Sequence, residues 1–176
     1  MTRVNERVKL KRSNLEVSRL SLGTAPLGGL FELVSDIEGE NILKTALDLG
    51  INYFDTAPEY GHGVAERRVG EVLQKTSQPF VIETKVGRLL RKMDGAEPEP
   101  WWPGAPRDIV PIYDYSPAGI KSSFEESLER LGLAHIDIVL MHDAQNHIHE
   151  AIDNAFPVLA DLRGQGLIKA IGLGMN

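Results

Sequence analysis

Asp55, Tyr60, Lys85 and His142 are a carboxylate, a phenol, an ammonium and an imidazole. Asp55 closes the apolar run INYFDTA (51–57), and Tyr60 follows five positions later in PEYGHG. Lys85 closes PFVIETKV (79–86), and His142 and Asp143 close IDIVLMHD (136–143). A lysine beside an aspartate stays cationic, because opposite charge favours the charged form. A cation near a phenol favours the phenolate, so Tyr60 is expected to titrate lower, toward the working range of a general acid. An imidazole alongside can donate to a carbonyl oxygen or relay its proton. Such a set contains no serine or cysteine nucleophile. It suits protonation of a developing alkoxide, as in reduction of a carbonyl or, in reverse, oxidation of an alcohol. The hydride must come from a cofactor, since no side chain provides one.

The elements that position these residues alternate along the chain. VKLK and LEVS, joined by Arg12-Ser13-Asn14, read as a hairpin. LSLGTAP (20–26) reads as a buried strand. SDIEGENILKTALDLG (35–50) reads as a helix capped by Ser35 or Asp36, with Ile42, Leu43, Ala46, Leu47 and Leu49 as its buried stripe and Gly50 as its stop. Strand 51–57, helix 63–75, strand 79–86, helix 116–132, strand 136–143, helix 149–166 with a kink at Pro157, and strand 167–176 complete the order. Alternation with short connections predicts a parallel sheet with crossover helices. Near-continuous apolar strands fit a sheet covered on both faces. The carboxyl ends of such strands are where α/β active sites are built, and Asp55, Lys85, His142 and Asn176 all fall there.

One connection breaks the pattern. Residues 87–115 contain five prolines and both tryptophans, without a helical period. A structureless loop this long is expected to be a lid or binding loop, and Trp101 and Trp102 are expected to shape a pocket.

The 176-residue chain is 42% hydrophobic and 25% charged, as expected of a single globular domain. Its net charge of −6 argues against nucleic acid as a partner. The absence of cysteine removes disulfides, thiolate chemistry and thiolate-bound zinc, and fits a cytoplasmic location. The polar start is not read as a secretory signal, and no run of about 18 apolar residues is present to cross a membrane. His142, Asp143, His147 and His149 have the types of a zinc site, but a polar loop with exposed histidines is the simpler reading, and no metal is expected. The glycines of GHGVAERRVG lack the spacing of a dinucleotide-binding turn. Glu83 shares a strand face with Lys85 and needs a partner if that face is buried.

FDTAPEYGHG with ERRVG, IETKVGR, IDIVLMHD and AIGLGMN, in that order, resemble the aldo-keto reductase family. The long Pro/Trp connection, Asp114-Tyr115-Ser116 and the GMN ending resemble its sugar and pyridoxal dehydrogenase branch. The resemblance implies a (β/α)8 TIM barrel floored by an N-terminal hairpin. It implies Tyr60 as general acid/base, Lys85 lowering its pKa, Asp55 paired with Lys85, and His142 orienting the carbonyl. It places Gly23, Thr24, Asp55, His142 and Asn176 at an NAD or NADP cofactor, and Tyr60 and His142 at a small carbonyl or sugar substrate, whose pocket Trp101 and Trp102 are expected to shape from the long connection. Where the family has a small or neutral residue, this chain carries Glu83.

Five strands fall short of the eight a barrel requires. The chain is therefore expected to be the N-terminal part of a truncated barrel, 1–176 as one domain. A nucleotide-binding module without turnover and an inactive half-barrel remain as alternatives. Neither NAD versus NADP nor the oligomeric state is fixed by the sequence.

Overall fold

The computed structural model describes residues 4–175; Asn176 lies outside the described residues. Strands β1 (Arg7–Leu10) and β2 (Leu15–Ser18) pair as an antiparallel hairpin. A five-stranded parallel sheet follows, β3 (Leu22–Gly23), β4 (Tyr53–Asp55), β5 (Val81–Val86), then β8 (Ile138–His142) and β9 (Ala170–Gly174), with neighbours in chain order. Helices α1 (Asp36–Asp48), α2 (Val64–Leu73), α3 (Pro117–Leu131) and α5 (Phe156–Gly164) cross over between them, the last preceded by a short α4 (Ile148–Glu150). The fold is α/β, an arc of a (β/α)8 barrel.

Local chemistry accounts for the helix ends. Ser35 accepts from the Glu38 amide while the Glu38 carboxylate accepts from the Ser35 amide, a reciprocal cap that satisfies two otherwise orphaned donors. Ser116 caps α3, Pro117 starts it, and Gly132 in the left-handed region ends it.

Strand alternation divides the sheet into two faces. Phe54, Ile82 and Val139 point to the helices, where they join Leu43, Val69, Ile120 and Leu159 in the main core. Val81, Ile138 and Leu140 point to the other face, where Leu15 and Val17 of the hairpin cover its lower part. Tyr53 packs on that face too, and Asp55, Lys85 and His142 lie two, four and two residues beyond Tyr53, Val81 and Leu140. They therefore emerge on the hairpin's face at the upper end of the sheet. Truncating Phe54, fully buried, to alanine would cost about 3–5 kcal/mol.

Buried polar groups tie the lower end together. Asn52 Oδ1 accepts from the Ser18 amide (2.6 Å) and Arg7 Nη1 (2.7 Å), and its Nδ2 donates to Glu16 O (3.1 Å). Asp137, at 1% exposure, accepts from the Ile82 amide (3.0 Å) and Lys169 Nζ (2.7 Å). Toward the other end of β5, Glu66 turns into the core between α2, α3 and β5, accepting from Thr84 Oγ1 (2.7 Å) and Arg130 Nε (2.6 Å). The acid within ERR is thus a buried tie, set where α2 faces its neighbours.

Several expectations are corrected. Residues 87–115 are not structureless: β6 (Arg88–Lys92) and β7 (Ile109–Tyr113) pair as a second hairpin. Pro111 sits in this two-stranded ribbon, where a strand tolerates the missing N–H on its open side. Strand 20–26 shrinks to Leu22–Gly23, because Ala25–Gly28 forms a 3-10 turn. In α1, Ile42 and Leu49 are exposed. Gly39, Leu43, Ala46 and Leu47 define the buried face, and Ile42 and Leu49 lie on its flank. The irregularity assigned to Pro157 is a π-helical turn over Ala151–Ala155, just before that proline starts α5. The missing Pro157 amide removes the α-bond that would otherwise continue the preceding turn.

Candidate active site

Lys85 is the centre of the upper rim. It is 5% exposed, and its ammonium donates to the carboxylate of Asp55, to Thr56 O (3.0 Å) and to Tyr60 Oη (3.0 Å). All three donor positions of the ammonium are used. Asp55 is held in turn from β3. Thr24 donates both its amide and its Oγ1 to Asp55 O, each at 2.9 Å.

Tyr60 depends on close backbone packing. A Cβ on Gly28 would come within 2.5 Å of the Tyr60 carbonyl carbon, and Gly61, at φ +62°, would place one 2.2 Å from Gly28 O. Two glycines let the turn after β3 lie against the turn that carries the phenol. The Tyr60 ring meets the His142 ring edge-on at 6.2 Å and the Trp102 ring at 6.1 Å. His142 is held through its main chain, because its carbonyl accepts the buried Tyr115 hydroxyl. Asp55, Tyr60, Lys85 and His142 are thus brought together at one rim.

The electrostatics differ from the sequence expectation in one respect. Burial pushes the Tyr60 hydroxyl above its ordinary pKa, and this outweighs the downward pull of Lys85. Burial opposes the Lys85 charge as well, but Asp55 and then Tyr60 raise its pKa and keep it cationic. His142 is held neutral, its pKa lowered to about 3 by burial and by the positive charges of Arg88 and Lys85. Its Nδ1 is buried without a partner, and its Nε2 lies 3.4 Å from Glu59. Glu83 finds its partner in Tyr53, whose hydroxyl donates to it at 2.6 Å. Burial raises Glu83 to about 7, with Asp55 adding to the rise.

These groups open onto a cleft of about 860 Å³. Trp101 and Trp102 line it, Trp101 46% exposed and Trp102 buried. Gly23 and Thr24 do not line it; they support Asp55 from the neighbouring strand. Beside His142, Arg88 bridges Glu59 (2.5 Å) and Asp143, and its guanidinium covers the Tyr113 ring at 4.5 Å. Sequence reading missed Glu59 and Arg88. Their signal was positional: one directly precedes Tyr60, the other follows the turn after Lys85. Glu59, His142 and Asp143 are close enough for a shared cation, but Arg88 already fills that role for both carboxylates. His147 instead packs against Tyr113 and Tyr115 and meets Glu150 at 3.1 Å, and His149 is exposed.

The match to the Aldo/keto reductase family over residues 19–176 shows that the chain belongs to that family. It is 41% identical over 168 residues to a D-threo-aldose 1-dehydrogenase from Pseudomonas sp., covering 92% of this chain and 51% of that protein. It is 38% identical to a pyridoxal 4-dehydrogenase from Microbacterium luteolum, covering 99% of this chain and 56% of that one. The solved holo form of an aldo-keto reductase from Bacillus halodurans superposes with a TM-score of 0.76 at 31% identity, covering 96% of this chain and 49% of that one. The chain spans about half the length of the curated relatives it matches.

Proposed function

We propose that the chain forms the catalytic part of an oxidoreductase that transfers hydride between NAD or NADP and the carbonyl or alcohol carbon of a sugar or other small aldehyde. The observation that carries this reading is the Lys85 ammonium bonded at once to Asp55 and to the Tyr60 hydroxyl, all three lining the cleft. The nicotinamide cofactor supplies the hydride.

The donor set fits the reacting end of such a cofactor and not its phosphates. Among the described residues, the cations of the cleft are Lys85 and Arg88, and carboxylates already match both. Asp55 and His142 are read as contacts at the reacting end, with Gly23 and Thr24 behind them; Asn176 joins them by resemblance alone. Tyr60 gives its proton to the substrate oxygen as charge develops there. Lys85, 3.0 Å away, stabilises the phenolate left behind. The raised pKa keeps Tyr60 protonated and ready to donate at neutral pH. Neutral His142 offers a ring nitrogen without adding charge.

The test is Tyr60→Phe in a full-length version, assayed by NAD(P)H oxidation with small aldehydes. Turnover should fall at least about 100-fold, the contribution typical of a positioned general acid, while cofactor binding by fluorescence survives. Unchanged turnover would reject the assignment. Cofactor binding with no turnover by the unaltered protein on any carbonyl tested would favour a nucleotide-binding module instead.

A further inference from the structure

The cleft carries more charge beside His142 than proton transfer at Tyr60 requires. Glu59 and Asp143 flank Arg88, and all three line the cleft beside His142. Glu99 lines it as well, so four carboxylates face two cations there. Trp101 and Trp102 present aromatic surface on the same cleft. The indole N–H of Trp102 has no acceptor, although the residue is only 5% exposed. A ligand hydroxyl that reaches this N–H would supply the acceptor that the chain does not.

Each feature has a matching ligand chemistry. Carboxylates fixed by a guanidinium keep lone pairs for hydroxyl donors. An indole N–H takes a hydroxyl as acceptor. Aromatic rings pack against the C–H face of a carbon chain. The excess of negative charge disfavours a substrate that brings a carboxylate or phosphate of its own.

We infer that Glu59, Asp143 and Trp102, with Arg88 fixing the two carboxylates, form a hydroxyl-reading wall that selects neutral polyhydroxylated carbonyl compounds over deoxygenated or anionic ones. The inference rests on the proposed oxidoreductase reading and adds the residues that choose its substrate. Arg88 is a positioning residue: it touches the carboxylates and holds their geometry.

The experiment compares kcat/KM for a neutral aldose, a deoxy analogue lacking the hydroxyl next to the reacting carbon, and a uronic acid. The unaltered protein should favour the aldose over both. Asp143→Asn, Glu59→Gln and Trp102→Phe should each lower the aldose-to-deoxy ratio by about tenfold or more, the usual worth of one hydrogen bond to a charged or buried partner. Trp102→Phe keeps a ring and removes the N–H, so it reads the wall even if loss of a carboxylate impairs folding. Glu71→Gln, on the outer surface, is the control and should leave the ratio unchanged. Unchanged ratios in all three wall variants, or a preference for the uronic acid, would overturn the inference while leaving the oxidoreductase reading intact. If the protein turns nothing over, calorimetric binding of the aldose and of its aldonate to Tyr60→Phe replaces the kinetics. Selective binding of the aldose would then sustain the wall and reject only the oxidoreductase reading, and equal or reversed binding would reject the wall.

Discussion

The two ends of the parallel sheet treat buried polar groups in opposite ways. At the lower end, Asn52 and Asp137 are enclosed and their side-chain atoms are bonded to main chain or to a neighbouring cation. At the upper end, Thr56 Oγ1, His62 Nδ1, Arg88 Nε, Trp102 Nε1 and His142 Nδ1 are buried without partners. Among the described residues, the one other such atom is Ser123 Oγ, on α3. Of the upper five, His142 alone lies in a strand of the parallel sheet; Thr56, His62, Arg88 and Trp102 lie in the segments that follow the strands, so the contrast is between the connections at the two ends. Buried polar groups in folded chains are mostly hydrogen-bonded by the chain itself, as at the lower end, whereas at the upper end the chain leaves a cluster of them to other partners. This matches the division seen in parallel barrels between a stabilising floor and a reactive rim.

Breaking the floor should have the largest effect on stability. Asp137→Ala removes the acceptor of the Ile82 amide and the partner of Lys169, and is expected to cost about 2–4 kcal/mol in chemical denaturation. The same chemistry applied to the rim should run the other way. Thr56→Val deletes a buried hydroxyl without a partner and keeps the main-chain carbonyl that Lys85 uses. It should be neutral or stabilising by up to about 1 kcal/mol. A rim substitution as costly as the floor one would end the comparison.

Titration sharpens it. His142 stays neutral in the folded chain down to about pH 3, whereas its ordinary value is 6.5. The unfolded chain takes up that proton first, so stability falls as pH drops from 6.5 toward 3. His142→Gln should flatten this acid limb in melts collected across pH. Glu83 acts with the opposite sign. Facing Tyr53, Asp55 and Lys85, it keeps its proton from 4.5 to about 7 in the folded chain, where the unfolded chain has lost it. Stability therefore falls as pH rises through that window, by at most about 1.4 kcal/mol per unit. Glu83→Gln, which mimics the protonated group, should remove this slope, and an unaltered slope would show that Glu83 titrates normally.

Much of this was legible in the sequence because it was local and periodic. The alternation of apolar strands with capped helices set the parallel order, and Asp55, Lys85 and His142 stood out as charges closing apolar runs. Their shared face follows from the two-residue period of strands. The hairpin over 88–113 was hidden because proline and charge masked its alternation, and its pairing lies across a 16-residue gap. The partnership of Glu59 and Asp143 through Arg88 was hidden for another reason. It joins three separate strand ends, and no spacing along the chain records which ends meet. The Tyr60 pKa was misjudged because proximity of a cation can be read from a motif, whereas the depth of burial cannot.

The central claim is that Tyr60 and Lys85 act as one proton-donating unit. A double-mutant cycle tests it, using single-turnover hydride transfer by Tyr60→Phe, Lys85→Met and the pair. The double variant should be about as slow as the slower single variant, because groups acting as a unit lose their effect together. Losses that multiply across the cycle would mean that the two side chains act independently, and the account of the site would fail.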